Sequence, residues 1–576
     1  MHCYIMSRLS KLFINSLFGL LAFTVHIVAS LILQRFLNAQ LGLEIVGLNA
    51  LLISSIGALA VVDIGLTTAI EFALYKPLAE KDHEKVALLV RYFRKVYLTI
   101  GGIIVAVALV IFPILPSLTG GYFSFLFVLP PFLLFLTHSF STYFFSYNHK
   151  LLFADQKQFI SSISAVLTRI LTSGIQIVLL LTLPFGEQFT YYLFLMVMLG
   201  VSIGFNIGIT IFVKKRYPYL NKYKGKLSKE FMAPTQQNVL AFGLHRIGDV
   251  VFVAKDTFLV SAILGVFWAG VFANYTLLVT NLNLLSVAIF SGVVATFGNM
   301  LANEPRESVY QKFKKVKFLN FFFFTLAATV LFVLANDFLY EIILPPDAGA
   351  EYVFRQHTIV FLAINMFLFG YSAILRHIRV AAGAYNPDKW FQILFVFIGV
   401  GLSVGLGFAL RPFGELHGIT GVLIGTTVTW VLRDIVVLPI IAKKHIHNGK
   451  RREYYVRFFI DLGIAAACVA ICAVIYFFAI QPYIANRAAR LVTGFIICLV
   501  IPSAIMLAVY HRTEEFAYLK KTLKRLWLQL RKKKEPEVAE EPVIEDVEIL
   551  EHIEREQQQV EEVLEQEEEQ QQTERI

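Results

Sequence analysis

The sequence predicts an all-α polytopic membrane protein of about fourteen transmembrane helices, organised as two parallel six-helix lobes followed by two extra C-terminal helices. Three observations predict it. Of the 576 residues 57% are hydrophobic and only 16% charged, with 53 Phe, a balance suited to lipid rather than water as the main solvent. Apolar runs of about 20 residues, the length that crosses a bilayer as a helix, recur along nearly the whole chain. Basic residues collect in alternate connections, which a membrane-spanning chain places in the cytoplasm.

Taken in order, apolar runs bounded by charge clusters place helices near 12–33, 45–72, 97–117, 122–146, 160–183, 190–213, 238–264, 268–296, 318–343, 354–380, 390–410, 416–442, 458–480 and 488–510. The first, Leu12 to Leu33, is long enough to span and lacks a small-residue cleavage site, so it reads as a helix rather than a signal peptide, with Met6 an alternative start. With the N-terminus inside, the cytoplasmic segments up to residue 534 hold 40 Lys and Arg, and the opposite loops hold Arg35, Arg355, Arg411, Arg487 and Arg490. Both termini are therefore expected in the cytoplasm, and the short outer loops leave no room for a catalytic domain.

An internal repeat organises the spans. Leu41 to Gly47 (LGLEIVG) is echoed by Leu264 to Gly270 (LGVFWAG), and Leu78-Ala79 through Glu84 by Leu301-Ala302 through Glu307, both at an offset of 223 residues. Helices 1 to 6 thereby pair with helices 7 to 12 in the same orientation, a transporter architecture. The expected organisation is an N-lobe over 1–213, a basic cytoplasmic linker over 214–237, a C-lobe over 238–442 and helices 13 and 14 over 443–510. A basic amphipathic interfacial helix over 511–534 and a disordered Glu/Gln-rich tail over 535–576 follow. That tail holds 17 Asp and Glu against two Arg, leaving the rest of the chain at +25. In a membrane protein such an excess points to loops held against anionic lipid, and nucleic acid is not an expected partner.

The motifs of common enzymes are missing: there is no H-E-x-x-H, G-x-S-x-G, phosphate-binding loop or Asp-x-Asp pair. The protein is therefore read as no enzyme and as needing no cofactor or metal. Gly421 to Gly425 (GVLIG) reads as close helix packing, and Cys468 and Cys472 as packing residues.

Ionisable groups inside the spans are the positive signal, because each costs roughly 2.5 to 3.5 kcal/mol at mid-bilayer unless it meets a partner or a watered cavity. His245, Arg246, Asp249, Lys255 and Asp256 fall in helix 7. His26 lies 223 residues before Asp249, and Arg169 is deep in helix 5. Plainer readings stand beside these: His245 and Arg246 as an interfacial pair, Arg376 snorkelling at a helix end, Arg433-Asp434 as a structural pair, and Asp63 and Glu71, flanking Gly65, as caps of a break.

Several stretches, in order along the chain, resemble a known family. They are LGLEIVGLNALL, ALAVVDIGLTTAIEFALYKPLAEKD and YFRKVYL between 41 and 98, LLFADQKQFI (151–160), KRYPYL (215–220), HRIGDVVFVAKDTFLVS with GVFANYTLLV, ATFGNML (295–301), AAGAYNPDKW (381–390) and GVLIGTTVTWVLRDIVVLP (421–439). Over roughly residues 8 to 445 the chain is similar to bacterial polysaccharide flippases, which handle O-antigen, capsule or exopolysaccharide repeat units. These belong to the multidrug/oligosaccharidyl-lipid/polysaccharide exporter superfamily. The chain departs from that pattern at GDVV, where Asp249 replaces a more usual glycine-rich sequence, and in its acidic tail.

The resemblance implies two six-helix bundles around a central cavity, working by alternating access in the bacterial cytoplasmic (inner) membrane. The substrate it implies is an undecaprenyl-diphosphate-linked oligosaccharide, moved outward with the help of an ion gradient. On that footing Arg169, Arg246 and Lys255 are candidate headgroup cations, His26, Asp249 and Asp256 candidate ion-coupling groups, and Asn274, Tyr275 and Asn299 candidate sugar contacts. Expected partners are the lipid-linked oligosaccharide, membrane lipids and polysaccharide polymerase or glycosyltransferases. Alternatives are a multidrug or cation antiporter, a lipid II flippase, a membrane-embedded polymerase or acyltransferase, and a scaffold whose tail recruits polysaccharide enzymes.

Overall fold

The computed structural model describes residues 8–59, 73–182, 186–223, 225, 254–290, 293–382, 389–442, 451–518 and 520. Outside them lie 226–237 of the linker, the start of the seventh span with His245, Arg246 and Asp249, the stretch holding Asp63, Gly65 and Glu71, and the segment from 521 to the end. The described residues contain no strand. Twelve helical stretches among them are long and apolar enough to cross a membrane.

Two features separate these twelve from the fourteen expected. The stretch Phe18–Gly57 counts as one of 40 residues, yet at 1.5 Å per residue it is about 60 Å long, twice the hydrocarbon thickness. It belongs to α1 (Arg8–Leu59), whose helical geometry breaks at Gly42 with φ 72. It therefore makes two passes. The seventh expected span is described only as α6, helical from 254 to 264.

The remaining N-lobe helices are α2 (His83–Ile111), α3 (Phe125–Ala154), α4 (Gln158–Thr182) and α5 (Glu187–Arg216). α1 packs on α4, α3 on α2 and α5, and α4 on α5. After α6 come α7 (Val266–Phe290), α8 (Val293–Asn303), α9 (Arg306–Phe338), α10 (Gln356–Tyr371), α11 (Ala373–Ala381), α12 (Lys389–Leu410) and α13 (Glu415–Trp430), where α10 packs on α9 and α13, and α12 on α13. Two more helices, α14 (Arg451–Val474) and α15 (Arg487–Tyr510), pack on α9 and on each other.

The helices start earlier than their apolar runs do. α2 begins at His83, capped by the Asp82 carboxylate, which accepts the Lys85 amide at 2.9 Å. α9 begins at Arg306, directly after Pro305. Hydropathy reveals only the part of a helix that meets lipid; the charged turns before it are helical as well and carry Lys85, Arg91, Arg94 and Lys95 in α2.

The repeat is visible as geometry. Gly42 and Gly265, 223 residues apart, both adopt positive φ, 72° and 100°, a region that L side chains avoid. Five residues further on, Gly47 and Gly270 pack face to face: a Cβ on Gly47 would lie 2.0 Å from the Val266 carbonyl oxygen, and one on Gly270 would lie 2.0 Å from that of Leu43. Leu43 and Val266 are themselves 223 apart. Each half thus presents the same backbone to the other, so a pseudo-two-fold axis runs between α1 and α7.

Small residues also bring α12 against α13. A Cβ on Gly421 would sit 2.3 Å from the Leu406 carbonyl oxygen and one on Gly425 2.5 Å from the Ser403 amide nitrogen, which bears out the packing expected of GVLIG. Cys468, Cys472 and Cys498 are free and buried.

Candidate functional site

The two lobes meet through a polar seam at the end marked by Gly42 and Gly265. Asn274 on α7 accepts two hydrogen bonds at Oδ1, from Gln34 Nε2 at 2.8 Å and from Asn38 Nδ2 at 3.0 Å, both on α1. Asn38 Nδ2 also donates to the Ile343 carbonyl at 3.2 Å, and Arg35 Nη1 donates to that of Glu341 at 2.7 Å. Those two carbonyls are available because α9 runs into a π-helical turn over Leu339–Ile343, which leaves the regular ladder. Ser261 Oγ closes the other side by donating to the Leu118 carbonyl at 2.7 Å. About two turns deeper on α7, Asn281 Nδ2 reaches Ser30 Oγ at 3.4 Å.

This seam is only partly satisfied. The Asn38 Oδ1 and Asn274 Nδ2 atoms are buried with no hydrogen-bond partner among the described residues. A buried amide group left so costs about 1–3 kcal/mol. The seam is closed but poorly compensated, and that lowers the cost of opening it.

Tyr275, next to Asn274, turns toward α9. Its hydroxyl donates to Asn336 Oδ1 at 2.5 Å and accepts the Phe354 amide at 2.7 Å, while its ring stacks on Phe354 with centroids 4.3 Å apart. Asn274 and Tyr275 are both fully buried, so in this conformation their polar groups serve contacts between helices. Asn299 is exposed on α8 and accepts from Asn303 Nδ2 at 2.5 Å.

Lys255 and Asp256 find each other. Lys255 Nζ lies 2.6 Å from Asp256 Oδ1, 3.0 Å from Ser403 Oγ on α12 and 2.5 Å from Thr426 Oγ1 on α13. Thr426 in turn donates to Asp256 Oδ1 at 2.7 Å. The side chains are 3% and 12% exposed, so desolvation is offset only because every partner is in place. The network ties α6 to α12 and α13, and a headgroup role for Lys255 requires that network to open.

Arg169 on α4 and His26 on α1 lie on two N-lobe helices that pack against each other. Arg169 is partly buried, and its Nε has no hydrogen-bond partner among the described residues. Arg169 makes no ion pair among the described residues, whereas Lys255 is held by Asp256. Arg246 and Asp249 lie outside the described residues.

Hydropathy alone understated a third cluster. Arg376 does not snorkel outward: it turns in to Asp434, and its Nη2 donates to the Phe369 carbonyl at 2.6 Å. Arg433 Nε donates to Asp434 Oδ1 at 2.8 Å, and its guanidinium lies 4.5 Å from the Trp430 ring. Ser372 Oγ adds a bond to Asp434 Oδ2 at 2.7 Å, and Arg379, 5% exposed, shares the same small cavity. Arg433 and Asp434 both lie buried in the π-helical turn Val431–Val437. Two arginines, Arg376 and Arg433, here pair with one carboxylate.

No protein-family model and no curated protein matches the sequence. Solved structures do match. Against the lipid II flippase MurJ in an inward closed conformation the TM-score is 0.59 at 12% identity, covering 86% of this chain and 99% of that one. Against an inward-facing multidrug resistance MATE family transporter of the MOP superfamily it is 0.55 at 17% identity, covering 73% and 96%. A mutant form of the Vibrio cholerae MATE transporter VcmN gives 0.53 at 13% identity over 76% and 97%. The chain has the fold of these transporters. It is a multi-pass membrane protein by its helices, and at such identities the likeness extends to fold and not to substrate.

Proposed function

We propose that the protein is a flippase that carries undecaprenyl-diphosphate-linked oligosaccharide repeat units across the bacterial cytoplasmic membrane by alternating access, for surface polysaccharide synthesis. The observation that carries this reading is Arg169, a partly buried cation inside a membrane span. A diphosphate carrier needs cations in low dielectric. Arg169 lacks a carboxylate in contact among the described residues, and its Nε has no hydrogen-bond partner among them. A cation antiporter on the same fold would need acidic groups to dominate instead.

The basic loops support an orientation with the Gly42 and Gly265 end outside and both termini in the cytoplasm. The closed seam through Asn38 and Asn274 is then the outer gate, and the substrate enters from the inner face. Arg169 receives the diphosphate and His26, on the helix that α4 packs against, is the group through which an ion gradient couples; Asp249, Asp256, Arg246 and Lys255 are further candidates for these two tasks. Opening breaks the seam's few hydrogen bonds while the two lobes pivot about the glycine contact.

The test is the sidedness of lipid-linked saccharides in cells depleted of this protein while their glycosyltransferases stay active. Undecaprenyl-linked repeats held on the cytoplasmic face support the proposal and identify the cargo by mass. Trapping of lipid II instead assigns the cargo seen in the MurJ name. Normal export of all such lipids, with new sensitivity to cationic drugs, moves the reading to an antiporter.

A further inference from the structure

At the basic end of the molecule, away from the seam, a cavity of about 470 Å³ lies between the first turns of α9 and α14 and the residues just after α15. Lys317 forms part of its wall. This lysine is 7% exposed, with its Nζ 3.7 Å from the centroid of the Tyr454 ring and 4.4 Å from that of Tyr371. No carboxylate comes within 4.0 Å of it among the described residues. The nearby Asp461 is already committed: it accepts Tyr371 at 2.9 Å, Tyr510 at 2.7 Å and Arg457 at 3.0 Å. Glu453 is held by Lys314 at 3.4 Å. Glu515 and Arg452 complete the charged part of the wall.

A buried ammonium that meets only ring faces is attracted to them, but retains unused hydrogen-bond donors. Asp461 spends contacts on Tyr371, Tyr510 and Arg457 and makes no ion pair with Lys317 among the described residues. The cavity therefore offers one uncommitted buried cation, with Arg452 and Arg457 beside it, to an anion. The other walls decide where that anion comes from. Val456 and Ile460 line the cavity and are also 52% and 49% exposed on the outer face of α14, next to Phe459 at 66%. In a membrane-spanning helix such a face meets acyl chains, so the cavity opens toward lipid.

We propose that this cavity binds the phosphate of an anionic phospholipid headgroup, with Lys317 as its principal cation and the acyl chains lying along the Val456, Phe459 and Ile460 face. The phosphate replaces the missing carboxylate contact of Lys317, and the volume suits a small headgroup. Such a lipid wedges between α9 and α14 and fixes the two C-terminal helices against the lobe. The site stands apart from the transport reading, and its test needs no transport.

The experiment is native mass spectrometry of the full chain, purified in detergent and titrated with phosphatidylglycerol, phosphatidylcholine or inorganic phosphate. The expected result is a phosphatidylglycerol adduct that survives activation when phosphatidylcholine adducts do not, and whose affinity falls about tenfold in Lys317→Met, as loss of a charge-assisted contact predicts. Thermal melting of the unsubstituted protein gives a second readout: phosphatidylglycerol raises the midpoint and phosphatidylcholine does not. Equal retention of both lipids, or undiminished phosphatidylglycerol binding by Lys317→Met, overturns the site. A rise in midpoint with inorganic phosphate as large as that with phosphatidylglycerol overturns the lipid assignment and leaves a soluble anion as the ligand.

Discussion

Lys255 and Asp256 show what a buried charge needs from its neighbours. Removing one member leaves the other buried and uncompensated, so Lys255→Met alone is expected to cost about 3–5 kcal/mol, whereas Lys255→Met with Asp256→Asn recovers most of it. Unfolding in mixed micelles, run as a double-mutant cycle, measures this; additive losses would mean that the 2.6 Å pair is not coupled. Arg169→Ala, by contrast, breaks no ion pair among the described residues, and is expected to leave folded stability within about 1 kcal/mol of the parent while abolishing export of the lipid-linked cargo. Normal export by that variant would remove Arg169 from the site. The sequence revealed that these residues were costly, because charge in an apolar run is legible from one chain. It could not reveal their partners, since Ser403 and Thr426 lie 148 and 171 residues from Lys255, or that Asn274 would spend its amide on Gln34 and Asn38.

Elements carry the repeat and the ties between helices. Gly47 and Gly270 approach carbonyls so closely that Gly47→Ala and Gly270→Ala are each expected to destabilise the fold by about 1–3 kcal/mol, whereas Gly57→Ala, with nothing within 4 Å of its new Cβ, should be neutral by the same unfolding measurement. The 223-residue offset was legible because both halves need glycine at the same backbone positions. Helix ends were less so. Lys317 falls one residue before the apolar run that begins at 318, and so reads as a loop lysine, yet α9 is helical from Arg306 onward and buries it. Asp337 was hidden differently, inside an apolar run, and the structure supplies its partners: Tyr476 and Arg490, the latter at 3.0 Å. Asp337 thus ties α15 and the turn that follows α14 to α9, and Asp461 near the other end ties α14 to α10 and α15 through Tyr371 and Tyr510. Asp337→Asn together with Asp461→Asn is expected to loosen these helices, seen as faster proteolysis or hydrogen exchange in α14 and α15 than in α10 and α13; uniform protection would contradict the tie.

For the whole molecule, the fold class and the pairing of lobes followed from hydropathy, basic loops and the repeat, all of which are properties of segments. The closed seam did not, because it is made by single amides brought together from opposite halves of the chain. Transport by alternating access requires that seam to open in each cycle. The direct measurement joins Asn38→Cys to Asn274→Cys with a short bifunctional thiol reagent in the full-length protein, and follows the sidedness of lipid-linked saccharides before and after reduction. Export that stops on cross-linking and resumes on reduction is the predicted result; export that continues at the parent rate with the seam cross-linked would contradict alternating access through this gate.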